Sequence, residues 1–255
     1  MDARVSLIKA FYRGLPVNRA KVEIARYGFD FLKEFLSGGI RLEYGELTLF
    51  ETLHKFKLTD ISESQMDALL RAHVEKKCNV CLYFDPGENP IFCFNLDNNH
   101  VTNNTVLIPE VKLATESLVK RLGELGCTPL VLASGRGYHV WCRLDAPVAN
   151  TRLYQFMLTA AAGVLLILHE NQLDPLQLKF NFYPDPRIFD VVSLRLFGSK
   201  HAKNKVFSRV LTPEGLLDEQ ASWAYFEDHL KTKTIAMPTF DKAFNTLVAP
   251  TAPGC

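Results

Sequence analysis

The 255-residue chain lacks, first, any uninterrupted apolar run of membrane-spanning length. The longest candidate, residues 157–168, is too short and is followed by His169, Glu170 and Asn171. The first residues, Met1-Asp2-Ala3-Arg4, lack the charged-then-apolar layout of a secretory leader. A large charge of either sign is also missing. With 29 Lys+Arg against 28 Asp+Glu the formal net charge is +1, so an anionic partner must be held by a local patch and not by a global field. The chain is poor in zinc-ligand pairs as well. Cys78-x-x-Cys81 has no second Cys/His pair at ligand spacing, so no structural zinc is expected. That pair falls in a strand-like run, residues 78–84, and reads as buried thiols. Six scattered cysteines point to reduced thiols and an intracellular protein, in a prokaryotic cytoplasm or a nucleoid or nucleus. At 47% hydrophobic and 22% charged, the chain can bury a sizeable core in one large domain or two small ones.

The pattern of what is present divides at about residue 75. Upstream, residues 5–12, 18–35 and 63–73 carry apolar positions at three- and four-residue spacing, and Gly38-Gly39 stops the second run. These predict an N-terminal helical module over 1–75, with room for a strand in 41–50. From Cys78 the period changes to two. Residues 80–84 and 90–97 flank the turn Asp85-Pro86-Gly87-Glu88-Asn89 and predict a hairpin. A helix over 109–125, a strand pair over 130–142, a long apolar helix over 151–173, strands at 178–182, 188–197 and 206–211, and a helix at 221–230 follow. The expectation is an α+β domain over 76–235, a mixed sheet with helices on one side and an open polar face on the other. Residues 236–255, with three prolines, are expected to form a tail or linker.

Three stretches carry chemistry. In Phe94-Asn95-Leu96-Asp97 the strand alternation puts Asn95 and Asp97 on one face. In Ser134-Gly135-Arg136-Gly137-Tyr138-His139 two glycines interrupt a strand and let the backbone turn sharply. Arg136 beside that turn suits phosphate oxygens, with amide N–H groups as further donors. Asp190 is an acid among apolar strand positions, costly there unless paired or metal-bound. Between Val191 and Pro213 no acid occurs, whereas Arg195, Lys200, His201, Lys203, Lys205 and Arg209 all do. A basic run in a charge-balanced chain favours an anionic partner.

In this order the stretches resemble the catalytic motifs of the archaeo-eukaryotic primase superfamily, the primases and primase-polymerases. That family's first motif is a strand with two acids one residue apart, similar to Asn95-Leu96-Asp97. Its second is a small residue, any residue, then His, often after Ser-Gly-Arg, and resembles Ser134–His139. Its third, a hydrophobic residue then Asp, is similar to Phe189-Asp190. A downstream Arg-Leu-Pro-Gly-Ser run followed by His and Lys resembles Arg195-Leu196-Phe197-Gly198-Ser199-Lys200-His201-Ala202-Lys203. The resemblance covers residues 78–212 and departs from the family at Asn95, where an acid is usual, and at Phe197, where Pro is usual.

The resemblance implies an RRM-like catalytic core and a DNA primase/polymerase-type nucleotidyltransferase, with primer synthesis left open. It implies two divalent ions, Mg²⁺ or Mn²⁺, at Asn95, Asp97 and Asp190. Ser134, Arg136 and His139 would take the triphosphate, and Arg195, His201 and Lys203 phosphates of nucleotide or template. The implied partners are a DNA template or primer and (d)NTPs, not a membrane, with helicase or accessory domains in a longer parent protein. Asn offers one neutral oxygen where two ions want anions. The alternative is therefore a catalytically silent module that binds nucleic acid or NTP. A metal-dependent nuclease is a third reading, disfavoured because the Ser134–His139 turn with the basic loop suits a triphosphate better than a phosphodiester.

Overall fold

The computed structural model describes residues 2–25, 41–47, 53–99, 107–188, 193–200 and 207–248. The chain is α+β, with antiparallel pairing between all its described strands, in two sheets. The mixed sheet expected from the sequence is thereby corrected.

The first element, α1 (Ala3–Phe11), is capped by the Asp2 side chain, which accepts from the Arg4 amide at 2.9 Å, and it buries Val5, Ile8 and Phe11. Strands β1 (Ala20–Ala25), β2 (Arg41–Leu47) and β3 (Leu53–Thr59) follow, then α2 (Glu63–Val74) behind a Ser62/Gln65 capping box. A helical module over 1–75 is thus incorrect. Ala20, Val22 and Ile24 are buried and alternate with Lys21 and Glu23, a period of two that prevails over the three- and four-residue spacing. The rest of the predicted 18–35 helix lies outside the described residues.

Strand β4 (Asn79–Tyr83) pairs with β1, so the expected boundary at residue 75 runs through one sheet. The five-stranded sheet is ordered β2-β3-β1-β4-β9, where β9 is Ser193–Arg195. The predicted hairpin across residues 85–89 does not form. β4 belongs to this sheet, whereas β5 (Glu88–Asn98) belongs to the other. The turn between them is a junction, in which Asp85 and Asn89 bond each other's groups and Asn150 bonds both.

The second sheet comprises β5, β6 (Leu130–Ala133), β7 (Gly137–Ala149), β8 (Leu178–Tyr183), β10 (Arg209–Thr212) and β11 (Gly215–Leu216), ordered β11-β10-β6-β7-β5-β8. Helix α3 (Pro109–Glu124) carries the chain from β5 to β6, and α4 (Asn150–Glu170) from β7 to β8. This β-α-β-β-α-β unit is the split βαβ arrangement, as expected for an RRM-like core. Helix α4 is long and apolar enough to cross a membrane by length and composition, a test that core helices also pass. Its Leu153, Phe156, Met157, Ala160, Val164 and Leu168 are buried on the sheet. Two further helices complete the described chain, α5 (Glu219–Thr232) and α6 (Met237–Val248). The expected tail is therefore helical to Val248. Phe240 is fully buried, with its ring 5.2 Å from Phe156 and 6.3 Å from Phe92.

Side-chain alternation divides the six-stranded sheet cleanly. Phe92, Phe94, Leu96, Val140 and Cys142 face the helices α3, α4 and α6. Ile91, Cys93, Leu130, Leu132 and Trp141 face the other way, into a core shared with α1, α2, α5 and the five-stranded sheet. The face expected to be open is thus covered over most of its area. Trp141 meets Tyr12 edge-on at 5.3 Å and stacks on Phe84 at 6.3 Å.

Candidate active site

The covered face turns polar at one end of β5. Past Cys93, the residues pointing away from the helices are Asn95 and Asp97. Register then fixes their neighbours. Asn95 is opposite His139 on β7 and Asn181 on β8; Asp97 is opposite Gly137 and Lys179; Cys93 is opposite Tyr183. Directly opposite side chains share a face about 5 Å apart. The first two motifs, some forty residues apart in the chain, therefore form one row.

Ser134, Gly135 and Arg136 form the three-residue loop of the β6–β7 hairpin, and Gly137 opens β7. The Ser134 amide donates to the Gly137 carbonyl at 2.9 Å, and Gly135 sits at φ +104°, where a side chain is strained. That amide serves the hairpin, so the expected cradle of free amides is not its role. Gly137 is needed for a different reason from the one its sequence suggests. A Cβ there would lie 1.9 Å from the Leu96 carbonyl oxygen and 2.9 Å from the Asp97 Cα. Its bareness lets β5 come close and seats Asp97.

Arg136 reaches across this seat, its Nη2 donating to Asp97 Oδ2 at 2.9 Å, while Asp97 Oδ1 accepts from the Asn98 amide at 2.9 Å. The Asp97 side chain is 14% exposed and the Arg136 side chain 38%. The residue expected to grip phosphate thus holds the residue expected to bind metal. His139 is buried, and that burial, reinforced by the Arg195 charge, lowers its pKa to about 3. It is a neutral imidazole at physiological pH, a hydrogen-bonding group and not a cation. Arg195 itself arrives from β9 of the other sheet, its Nε 4.0 Å from Glu23 Oε2. The site lies where the two sheets meet.

Ser134, Arg136, His139, Asn95 and Asp97 are therefore brought together, with Arg195 alongside. Asp190, His201 and Lys203 lie outside the described residues. The flanks of the basic loop are fixed: Lys200 bridges to Phe207, and its backbone N–H and C=O bond the Asn79 side chain at 2.9 and 2.7 Å.

Several site neighbours escaped the sequence reading, all near β8. Burial raises the pKa of the Tyr183 phenol, the charges of Asp185 and Asp97 add to the rise, and the Asn95 side chain opposes it. Asp185 is held by Arg187 through Nε at 2.9 Å and Nη2 at 2.7 Å, and this pairing lowers its pKa. It lines a cavity of about 260 Å³ with Arg19, Tyr83, Phe84 and Asp85. The alternation Lys179-Phe180-Asn181-Phe182-Tyr183 was the available signal, since its polar members share the face of Asn95.

Two divalent ions are not matched by the described residues. No group of three or more His, Cys, Asp or Glu able to hold a metal occurs among them. Asp97 is the one charged donor of the expected set that is described, and Arg136 and the Asn98 amide already occupy it. The cysteines fit the sequence reading: Cys78 and Cys81 are buried free thiols, burial raising the Cys78 pKa to about 12.

No protein-family model matches the chain. A search of curated proteins returns no match. Among solved structures the chain is similar to the polymerase domain of Mycobacterium tuberculosis Ligase D in complex with DNA, at 14% identity and a TM-score of 0.49, over 96% of this chain and 85% of that one.

Proposed function

We propose that the chain is a nucleotidyltransferase domain of the primase-polymerase type, which adds nucleotides to a DNA end under the direction of a template. The observation that carries this reading is the single row Asn95–His139 beside Asp97–Arg136, in which separate motifs of the resembled family become spatial neighbours. Arg195 from the five-stranded sheet gives the row an opposite wall. With DNA and (d)NTPs as partners, the proposed place of action is inside the cell.

In this reading the triphosphate docks at the β6–β7 hairpin. Arg136 exchanges Asp97 for phosphate oxygens, trading one charge-assisted bond for another in fork geometry. His139 donates to phosphate as a neutral group, so its contact does not vanish as the pH rises. Arg195, His201 and Lys203 bind further phosphates. Asp97, released by Arg136, is exposed to whatever cation accompanies the nucleotide. A divalent ion accompanying the nucleotide would be held by Asp97 and Asp190 and would supply charge neutralisation of the triphosphate. Asp190 is proposed as the second acid and Asn95 as a neutral neighbour.

A second reading, a silent module that binds nucleotide or nucleic acid, is favoured by one feature: Asp97 is neutralised by Arg136 and Asn95 brings no charge. Incorporation of labelled dNTP on a primed template, with Mn²⁺ and then Mg²⁺, tests both. Incorporation that Asp97→Ala abolishes supports transfer. Nucleotide binding without incorporation under either ion refutes transfer and leaves the silent module.

A further inference from the structure

One cation beside the site has no part in the row described above. Lys179 is on β8, the edge strand of the six-stranded sheet, directly opposite Asp97. Its neighbours Leu178 and Phe180 pack on the helix side, so alternation turns Lys179 to the face that Asn95 and Asp97 share. Lys179 is exposed, and among the described residues it forms no hydrogen bond or ion pair. Asp97, the acid opposite, is already engaged through both oxygens, by Arg136 and by the Asn98 amide.

The charges on this face do not balance. Asp97 is a single carboxylate between two cations, Arg136 at the start of β7 and Lys179 on β8. The next row, Asn181–Asn95–His139, adds no charge, because both amides are neutral and the buried imidazole has its pKa lowered to about 3. Arg195 is offset by Glu23, whose Oε2 lies 4.0 Å from its Nε. A divalent ion entering the free site thus meets two like charges and a carboxylate whose oxygens are occupied. A polyphosphate meets two donors instead. β7 and β8 flank β5 and stand about 10 Å apart, a span that two long side chains can close around a phosphate chain.

We infer that Lys179 is a second phosphate-binding cation of the site and that, with Arg136, it holds the nucleotide without a divalent ion. The inference rests on the proposed function for the identity of the ligand. It also accounts for the poor match between the described residues and a pair of metal ions. Arg136 must leave Asp97 to bind phosphate, whereas Lys179 has no bond to break. The lysine is therefore the first contact, and the arriving phosphate draws Arg136 across.

The test is calorimetric titration of the full chain with ATP, in EDTA and again in excess Mg²⁺. The parent is expected to bind in EDTA at least as tightly as with Mg²⁺, because ATP then presents its full charge. Lys179→Met keeps most of the stem and removes the charge. It is expected to lose about tenfold or more in EDTA, with an unchanged melting temperature, and Lys179→Arg is expected to retain most of the affinity. Asp97→Asn tests the sign. It frees Arg136 and is expected to tighten ATP in EDTA, whereas a site that binds nucleotide through metal weakens. Parent binding that disappears in EDTA, an unchanged affinity in Lys179→Met, or a weaker Asp97→Asn overturns the inference. ATP binding in EDTA that depends on Lys179, without dNTP incorporation under Mn²⁺ or Mg²⁺, refutes transfer and leaves the inference standing. Incorporation by a parent whose ATP binding requires the ion does the reverse.

Discussion

Replacing Asn95 with aspartate completes the paired acids expected of the first motif, and its effect can be worked from the strand geometry. Residues 95 and 97 share a face of β5 two positions apart, about 6.8 Å along the strand. Two carboxylates at that distance repel by about 2 kcal/mol at an effective dielectric constant near 20. Arg136 sits against Asp97 and relieves part of this, so about 2 kcal/mol is an upper bound. In chelator, Asn95→Asp is expected to melt up to about 4–8 °C below the parent. A divalent cation reverses the sign. At a hundred times its Kd it returns about 2.7 kcal/mol, enough to cancel the repulsion. Thermal melts in EDTA and in a Mn²⁺ series therefore show a variant that is weak without the ion and restored with it, beside a parent that responds little. Primer extension is expected to rise in the variant under Mn²⁺. A variant that melts like the parent in chelator and ignores Mn²⁺ would refute the geometry, because the added carboxylate would then face neither Asp97 nor an ion.

Three further outcomes are expected. His73 is fully buried, its Nδ1 accepting from the Val80 amide and its Nε2–H donating to the Phe197 carbonyl, and burial lowers its pKa to about 4; His229 is buried with a pKa also lowered to about 4. Folded values below the unfolded one mean full stability above pH 6.5, lost as the pH falls toward 4 at up to about 1.4 kcal/mol per unit and group; urea midpoints that hold level from pH 7 to pH 4.5 contradict this. Gly137→Ala drives a methyl into the backbone of β5 and is expected to cost about 1–3 kcal/mol or more, with weakened nucleotide binding because Asp97 moves; a urea curve within about 0.5 kcal/mol of the parent removes Gly137 from the seat. Arg136→Ala breaks a part-exposed pair worth at most about 1 kcal/mol of stability. The same change is expected to weaken nucleotide binding roughly ten- to over a hundred-fold, and calorimetry showing the reverse balance makes Arg136 a structural residue.

How much of this was legible in the sequence depended on the range of the interaction that decides each feature. The helices over α1, α2, α3 and α4 announced themselves through local periodicity and caps, which need no partner. So did the shared face of Asn95 and Asp97, because alternation is a property of a strand alone. Strand β1 did not, since Ala20-Lys21-Val22-Glu23-Ile24 is too short to prevail over a helical pattern until β3 and β4 pair with it. The Asp85–Asn89 turn carries every local mark of a hairpin; its destination in a second sheet is decided by β1 and β7, both distant in the chain. The role of Gly137 was misread for the same reason, as its constraint comes from the Leu96 carbonyl forty residues upstream. Arg136 facing Asp97, and Arg195 facing His139, are pairings between elements that no spacing rule predicts.

Strand β4 has β1 on one side and β9 on the other, and β9 is separated from it by roughly a hundred residues that build most of the six-stranded sheet. During synthesis at about 5–20 residues per second, β4 waits some seconds with one rim of amide and carbonyl groups unpaired. An unpaired rim is a template for another chain's strand, so this interval is when the nascent protein is most open to misassembly. The strand that ends the exposure is the one that delivers Arg195. Closing the first sheet and supplying the last wall of the site are thus the same folding event, and a chain arrested before it is both unprotected and unable to bind as proposed.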